Sequence, residues 1–305
     1  MKRAFVSVTS LAFAALSFAQ MNMKDSTVQV IGYWDRNEKQ SYTVSHEEYK
    51  VAKGDTLDRN ILKYDVGITI IDSTAGSYTI EWDYSNLVVQ SASPMLKKLM
   101  KATMLTKAVI KTTECGAFVE LLNWKDVRTE SIRSIRMLGY ELKGTPNLDQ
   151  ILKQQMAKYE TKESIQNALI DEIKQFYAFH GGVYKYGSDV VSTIQVPNKY
   201  GGNPFDAKVT IWVDTLDEKH SYSTLCMTNT VDSVQLWNAA YDYLSKSAST
   251  LAVSLPKKED FPSFTNVTYT TAQIHNLGWV IYSIVTKEVE ADHVLKVEEQ
   301  IIELK

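Results

Sequence analysis

"YDVGITIIDS", residues 64–73, and "FDAKVTIWVDT", residues 205–215, resemble one another closely within the same chain. Each begins with an aromatic residue and an aspartate, continues through β-branched and apolar residues, and ends in an aspartate followed by a hydroxyl residue. Runs of this composition, bounded by turn-forming residues, predict β-strands. The pair therefore predicts a fold in which one strand-rich unit occurs twice.

The likeness continues in the same order around these two stretches. Upstream, "SYTVSHEEYKV" at 41–51 corresponds to "VYKYGSDVVSTIQV" at 183–196. Downstream, "DSTAGSYTIEWDY" at 72–84 corresponds to "DTLDEKHSYSTLCMT" at 214–228, and both resume at Ser-Tyr after a polar turn. The period-two alternation in the first of these is typical of a half-buried strand. The shared order favours duplication over chance resemblance between β-rich segments.

An amphipathic helix is predicted after the strands of each half. In the first half, "SPMLKKLMKATMLTKA" offers Ser93 as the N-cap, with a proline at the first helical position. In the second half, "DSVQLWNAAYDYLSKS" begins at Asp232 or Ser233. Strands return around Gly116 and Gly278, and a last hairpin leads into the final strand "VLKVEEQIIEL".

The predicted fold class is α+β, mainly antiparallel β, with two pseudo-repeated strand–helix–strand units and a helical segment between them. The last helix of that segment is expected to start at Thr161 and to run to the glycines at 181–182. Its apolar face consists of Ile165, Leu169, Ile173 and Phe176. The predicted signal peptide, first β-rich unit, helical connector and second β-rich unit span residues 1–19, 28–124, 125–182 and 183–305.

The N-terminus, "MKRAFVSVTSLAFAALSFAQ", predicts a cleaved secretory signal peptide. Lys2 and Arg3 form its positive region, an apolar run follows, and a small-x-small cleavage site ends at Ala19. The apolar run is too short to span a bilayer comfortably. We therefore expect a mature chain that starts at Gln20, lies in the periplasm or is secreted, and is not stably inserted in a membrane.

Composition argues against several classes of function. Removing Lys2 and Arg3 takes the net charge from −3 to −5, whereas a nucleic-acid-binding protein needs a basic surface. The five histidines form no metal-binding motif, and His46 is interpreted as a solvated strand residue. Phosphate-binding, dinucleotide-binding and serine-hydrolase motifs are absent from the sequence. No nucleic-acid partner, no cofactor, no metal and no enzymatic activity are predicted.

Two cysteines in an exported chain permit a disulfide. Cys115 lies in a predicted turn and Cys226 in a predicted strand. Nothing in the sequence brings the two positions together, so unpaired thiols are favoured.

The two predicted helices supply candidate residues for an apolar ligand site. Their apolar faces recur at helical spacing, and methionine gives such a lining plasticity. The same pattern is also typical of a helix that packs on an ordinary core. The candidate lining residues are Leu99, Met100, Met104, Trp237, Tyr241 and Leu244.

Three segments carry a resemblance to known proteins. The Ala19-Gln20 boundary, "GAFVELLNW" at 116–124 and "LGWVIYSIVTKEV" at 277–289 resemble uncharacterised exported proteins of Gram-negative bacteria. In topology, the strand–helix–strand unit resembles the half-barrels of outer-membrane lipoprotein carriers, in which a curved sheet wraps a helix and holds acyl chains. This resemblance implies no catalytic residues.

The leading hypothesis is an exported, non-enzymatic binding or carrier protein for an apolar or amphiphilic ligand such as a lipid. The alternative hypothesis is a structural or interaction protein of the cell envelope, with a solid core and no small-molecule ligand.

Overall fold

The structure is a computed structural model, and it describes residues 21–168, 170–198, 200, 202–251 and 257–305. The predicted signal peptide at 1–19, the start of the mature chain at Gln20 and the predicted helix-face residue Leu169 lie outside the described residues.

Within the described residues, eleven antiparallel strands form one continuous sheet, which confirms the predicted α+β class with mainly antiparallel β structure. Their order across the sheet is β7-β6-β5-β4-β3-β14-β13-β12-β11-β10-β9, and a small second sheet has the order β1-β2-β8. The strands are β1 Met21–Asn22, β2 Thr27–Gln29, β3 Lys39–Ala52, β4 Asp55–Thr74, β5 Ser77–Gln90, β6 Lys107–Thr113, β7 Phe118–Leu121, β8 Val183–Lys185, β9 Val190–Val196, β10 Phe205–Asp217, β11 Tyr222–Val231, β12 Phe264–His275, β13 Val280–Ala291 and β14 Val294–Leu304.

The two predicted amphipathic helices begin at the positions that the sequence predicts. The Ser93 hydroxyl accepts a hydrogen bond from the Leu96 amide at 3.2 Å, and the Asp232 carboxylate accepts one from the Gln235 amide at 2.8 Å. Both contacts satisfy amide groups that the first helical turn leaves without intrahelical partners. The helices are α1 Pro94–Thr103, α2 Trp124–Glu141, α3 Leu148–Ala157, α4 Lys162–Ala168, α5 Asp171–Phe176 and α6 Ser233–Leu251.

The two predicted units run through the same order of elements. In each, three strands of the large sheet precede a helix that connects two neighbouring strands: α1 connects β5 to β6, and α6 connects β11 to β12. Gly116 and Gly278 occupy equivalent turns, with φ of 86° and 82°. Pairing of β3 with β14 joins both units into one sheet. This shared order agrees with the predicted repeat but does not establish a duplication, which stays a prediction.

The prediction of one continuous helix from Thr161 to the glycines at 181–182 is wrong. The helix starts as expected, because the Thr161 hydroxyl caps the Ser164 amide at 3.0 Å, but α4 ends at Ala168. Ile170 has φ −127° and ψ 35°, which is not helical, and α5 starts anew after it. Four of the six residues of α5, namely Glu172, Ile173, Gln175 and Phe176, are buried, which is more than the single apolar stripe that a helix lying on the surface buries.

The sheet curls around this buried segment. The Gly32 amide donates to the Cys115 carbonyl at 3.2 Å, and the next amide, that of Tyr33, donates to the Leu277 carbonyl at 3.1 Å. These carbonyls belong to the β6–β7 and β12–β13 turns, which in a flat sheet would lie about 29 Å apart, six strand spacings. Because one short segment contacts both turns, the sheet between them must be strongly concave.

The concave face is filled mainly by aromatic side chains around α5. The Phe176 ring lies 5.4 Å from the rings of both Tyr42 and Trp82, in edge-to-face arrangements. His180, just beyond the helix, makes a 2.7 Å hydrogen bond through Nε2 to the Gly278 carbonyl. All four side chains belong to one region, and the aromatic contacts hold α5 against β3 and β5.

Candidate functional site

A cleft of about 210 Å³ opens where α1 crosses the concave face near the start of α5. Strands β3, β4, β5 and β14 form its back wall, α1 and the turn that follows it form one side, and α5 forms the floor. The cleft is lined by His46, Leu62, Tyr64, Tyr84, Met100, Thr103, Met104, Leu105, Asp171, Glu172 and Gln300.

Glu172 is the most unusual residue of this cleft, because it is an acidic residue that is only 7% exposed. The break at Ile170 redirects the chain so that the first turn of α5 enters the concavity. There the Tyr84 hydroxyl donates to Glu172 Oε1 at 2.6 Å. Burial raises the pKa of Glu172 to about 7, although hydrogen bonds from Tyr84 and the backbone act in the opposite direction.

Two tyrosines form the aromatic part of the wall. The rings of Tyr64 and Tyr84 lie 5.8 Å apart. Burial raises the pKa of each phenol well above its ordinary value, with the negative charge of Glu172 acting in the same direction. Both hydroxyls therefore stay protonated at neutral pH, and Tyr84 acts as a hydrogen-bond donor to the carboxylate.

No positively charged side chain balances Glu172 among the described residues. None of their ion pairs includes it, and no lysine or arginine lines the cleft. Lys174, on the same helix, instead donates to the Asn167 side chain at 3.3 Å. The cleft thus combines apolar walls with an acidic floor, which is suited to a molecule with one apolar and one polar end.

Helix α1 forms a loosely packed wall of the cleft, since none of its residues is buried. Met104 and Leu105, which follow it, also line a neighbouring cleft of about 380 Å³ against α2. The two clefts therefore have these two side chains in common. Methionine has three rotatable bonds and adapts readily to irregular spaces, so a rotamer change of Met104 can alter both clefts.

The structure places the six predicted lining residues on two separate surfaces. Met100 and Met104 line the cleft, while Leu99 lies half-buried on the same helix outside its lining. On α6, the Trp237 and Tyr241 rings stack at 6.1 Å.

The aromatic pair on α6 is covered by the loop that follows the helix. The Phe261 ring lies 5.0 Å from that of Tyr241, and the Trp237 indole donates to the Phe261 carbonyl at 3.3 Å. Lys258 lies 5.2 Å from the Trp237 ring centroid, in cation–π geometry. Leu244 is 37% exposed. These contacts give the face of α6 a packing partner within the protein.

Sequence reasoning missed the polar half of the cleft. His46, interpreted as a solvated strand residue, is half-buried at its wall. Glu172 carried a usable signal, because it lies four residues before Phe176 and so shares a face with it on any helix through this segment. An acidic residue on the apolar face of a predicted helix could have identified the site.

The described residues show three further features that bear on function. Cys115 and Cys226 are free thiols. No cluster of three or more histidine, cysteine, aspartate or glutamate side chains in the described part of the chain has a geometry that could hold a metal ion. Within the same residues, no helix is long and apolar enough to cross a membrane.

Comparison with known proteins gives structural neighbours only. No protein-family profile and no curated protein matches the chain. A structure of lipovitellin, described for its lipid–protein interactions, aligns at 8% identity over 89% of this chain and 25% of its own, with a TM-score of 0.43. The chain thus spans about a quarter of the lipovitellin chain.

A second neighbour is a structure described as an exported protein with a YmcC-like fold from Bacteroides fragilis. It aligns at 10% identity over 90% of this chain and 99% of its own, with a TM-score of 0.23. At these TM-scores, neither likeness defines a shared fold or carries an argument about function.

Proposed function

We propose that this protein is an exported, non-enzymatic binding or carrier protein for an amphiphilic ligand, and that the cleft between α1 and the concave face holds the ligand. The observation that supports this most strongly is the combination of apolar side chains on α1 with the buried carboxyl of Glu172 beneath them. An apolar chain would lie against Met100 and Met104, and a polar head would reach the carboxyl.

The size of the site supports a small or partly enclosed ligand. Small-molecule pockets are typically roughly 300–1,000 Å³, and the cleft alone, at about 210 Å³, is below that range. The neighbouring cleft of about 380 Å³ shares Met104 and Leu105 with it. Displacement of Met104 would widen both spaces and provide room for a longer chain.

The arrangement of polar groups supports binding rather than catalysis. His46, Thr103 and Glu172 share the cleft, but among the described residues no hydrogen bond joins them into a relay. The Thr103 hydroxyl donates to the Leu99 carbonyl at 2.9 Å, and Glu172 is engaged by Tyr84. A nucleophile and its base need mutual hydrogen-bond reach, so this cleft lacks the usual geometry of an activated hydroxyl.

A structural or interaction protein of the cell envelope is the second candidate function. The filled aromatic core around Phe176 favours it, because the greater part of the concave face contains packed side chains. The two candidates differ in whether the cleft beneath α1 takes up a ligand.

We expect the protein to bind the neutral apolar dye N-phenyl-1-naphthylamine in this cleft, with increased dye fluorescence. Met104→Glu should weaken binding at least tenfold, because the dye would have to displace or contact a charged group in an apolar wall. Fluorescence titration of the full chain measures both dissociation constants, and a thermal melt confirms that each variant is folded.

Leu244→Glu on α6 is the matched control, since it places the same charge on the other predicted ligand-lining helix. It should leave dye binding unchanged. Met100→Glu repeats the test at the cleft if Met104→Glu fails to fold. Loss of binding in the Leu244 variant but not in the cleft variants would contradict the proposed site, and absence of dye binding in the unaltered protein would favour the structural alternative.

A further inference from the structure

A buried carboxyl group without a cationic partner needs an explanation. Glutamate is almost never fully buried unless it is paired, because transfer of an isolated charge from water is unfavourable. Glu172 has a phenol as its hydrogen-bond donor but no ion partner among the described residues. It also lines an open cleft, so a molecule entering from solvent can reach it.

The charges around Glu172 indicate which molecule would be accepted. Asp171 lies at the exposed mouth of the cleft and adds a second negative charge. The other titratable groups on the walls are His46 of β3, Tyr64 of β4 and Tyr84 of β5, while β14 contributes the neutral Gln300. Lys174 of α5 is held by Asn167. An anionic head group would meet two carboxyls without a lysine or arginine in the lining.

We propose that the cleft selects a cationic amphiphile, one whose primary ammonium head pairs with Glu172 while its alkyl chain lies along α1. This inference rests on the proposed function and specifies the ligand class for the same site. An ammonium group has three hydrogen-bond donors and no acceptor. The carboxylates of Glu172 and Asp171 and the side-chain carbonyl of Gln300 are acceptors on the same cleft lining.

The aromatic wall suits the same head group. The faces of tyrosine rings attract cations, and the rings of Tyr64 and Tyr84 lie 5.8 Å apart beside the carboxyl. The alkyl part of the ligand would contact Leu62, Met100, Met104 and Leu105, which are the apolar side chains of the lining. Head and chain therefore each find a complementary part of one cleft.

Binding of the cation should depend on pH, because it requires the ionised form of Glu172. Burial raises the pKa of Glu172 to about 7 in the ligand-free protein. The ionised fraction, and with it the affinity for an ammonium head, should rise about tenfold between pH 6 and pH 8. Loss of this dependence in Glu172→Gln would assign it to Glu172 rather than to His46 or Asp171.

Isothermal titration calorimetry of the full chain with n-octylammonium, 1-octanol and octanoate tests the inference at constant chain length. We expect octylammonium to bind at least tenfold more tightly than octanol at pH 7.5, and octanoate to bind most weakly. Glu172→Gln should abolish the preference for the ammonium over the alcohol, and Glu163→Gln, an exposed acid on α4, should preserve it.

The outcomes separate the two proposals. Equal binding of all three probes, or tighter binding of octanoate, would overturn the cationic ligand class and leave the binding function standing. A preference for octylammonium that survives in Glu172→Gln would overturn the role of Glu172. If none of the three probes binds to the unaltered protein, the proposed function itself fails.

Discussion

Gly278→Ala is expected to lower the free energy of unfolding by about 4 kcal/mol, close to the largest effect that single substitutions produce. A β-carbon at this position would lie 2.4 Å from the Ile31 carbonyl oxygen and 2.7 Å from the Gly32 Cα. Both are backbone atoms and cannot rotate away. The residue also has φ of 82°, which disfavours any side chain. Chemical denaturation followed by tryptophan fluorescence measures the change.

Two other glycines separate the contributions of backbone conformation and steric overlap. Gly54 has φ of 87° but nothing within 4 Å of the added carbon, so Gly54→Ala should cost only about 1 kcal/mol. Gly76 has open space and no positive φ, and Gly76→Ala should change stability by less than about 0.5 kcal/mol. If Gly278→Ala and Gly54→Ala lowered the free energy of unfolding equally, the steric overlap with residues 31 and 32 would not contribute to the effect at Gly278.

Stability should also depend on pH through two buried groups that act in opposite directions. Burial raises the pKa of Glu172 from 4.5 to about 7. The folded state therefore binds this proton more tightly than the unfolded chain, so stability falls as pH rises from about 4.5 to 7 and stays reduced above that. Burial lowers the pKa of His180 from 6.5 to about 4, so its contribution to stability falls as pH decreases from about 6.5 to 4.

Each group should change the free energy of unfolding by about 3 kcal/mol across its range. Between about pH 4.5 and 6.5 the two contributions oppose one another, so the unaltered protein should vary little there. Glu172→Gln should remove one of them, giving a protein about 3 kcal/mol more stable than the unaltered one at pH 8 and little changed at pH 4.

Urea denaturation at pH values from 4 to 8 measures these profiles. The exposed residue Glu163 supplies the control, since Glu163→Gln should reproduce the profile of the unaltered protein. Equal stability of the Glu172→Gln variant and the unaltered protein at pH 8 would contradict the conclusion that ionisation of buried Glu172 lowers the free energy of unfolding.

The sequence predicted those parts of the fold that depend on local patterns. The final strand is found at Val294–Leu304 as expected, and the N-cap at Ser93, the start of α6 at Ser233 and the turn at Gly278 are confirmed. These features follow from alternation, side-chain capping and backbone conformation, each of which is determined by a few neighbouring residues.

The candidate site could not be predicted in the same way, because it depends on the curl of the whole sheet. Glu172 meets Tyr84 across 88 residues of sequence, and only the concavity brings them together. The helix faces of α1 and α6 have similar patterns, yet Phe261 covers the aromatic pair on α6 and no α1 residue is buried. Sequence periodicity identified both faces without showing which one borders open space.

The pairing of β3 with β14 has a consequence for how the chain reaches its folded state. Neighbouring strands within each unit pair locally, but this ladder aligns residues near opposite ends of the chain, such as Tyr42 with Leu304. Contacts between such distant positions form slowly, because a very long loop must close first. Until β14 has been synthesised, β3 can pair with β4 on one edge only, and the backbone groups of its other edge remain unpaired. Over this interval we expect the nascent chain to be most vulnerable to aggregation and most dependent on chaperones.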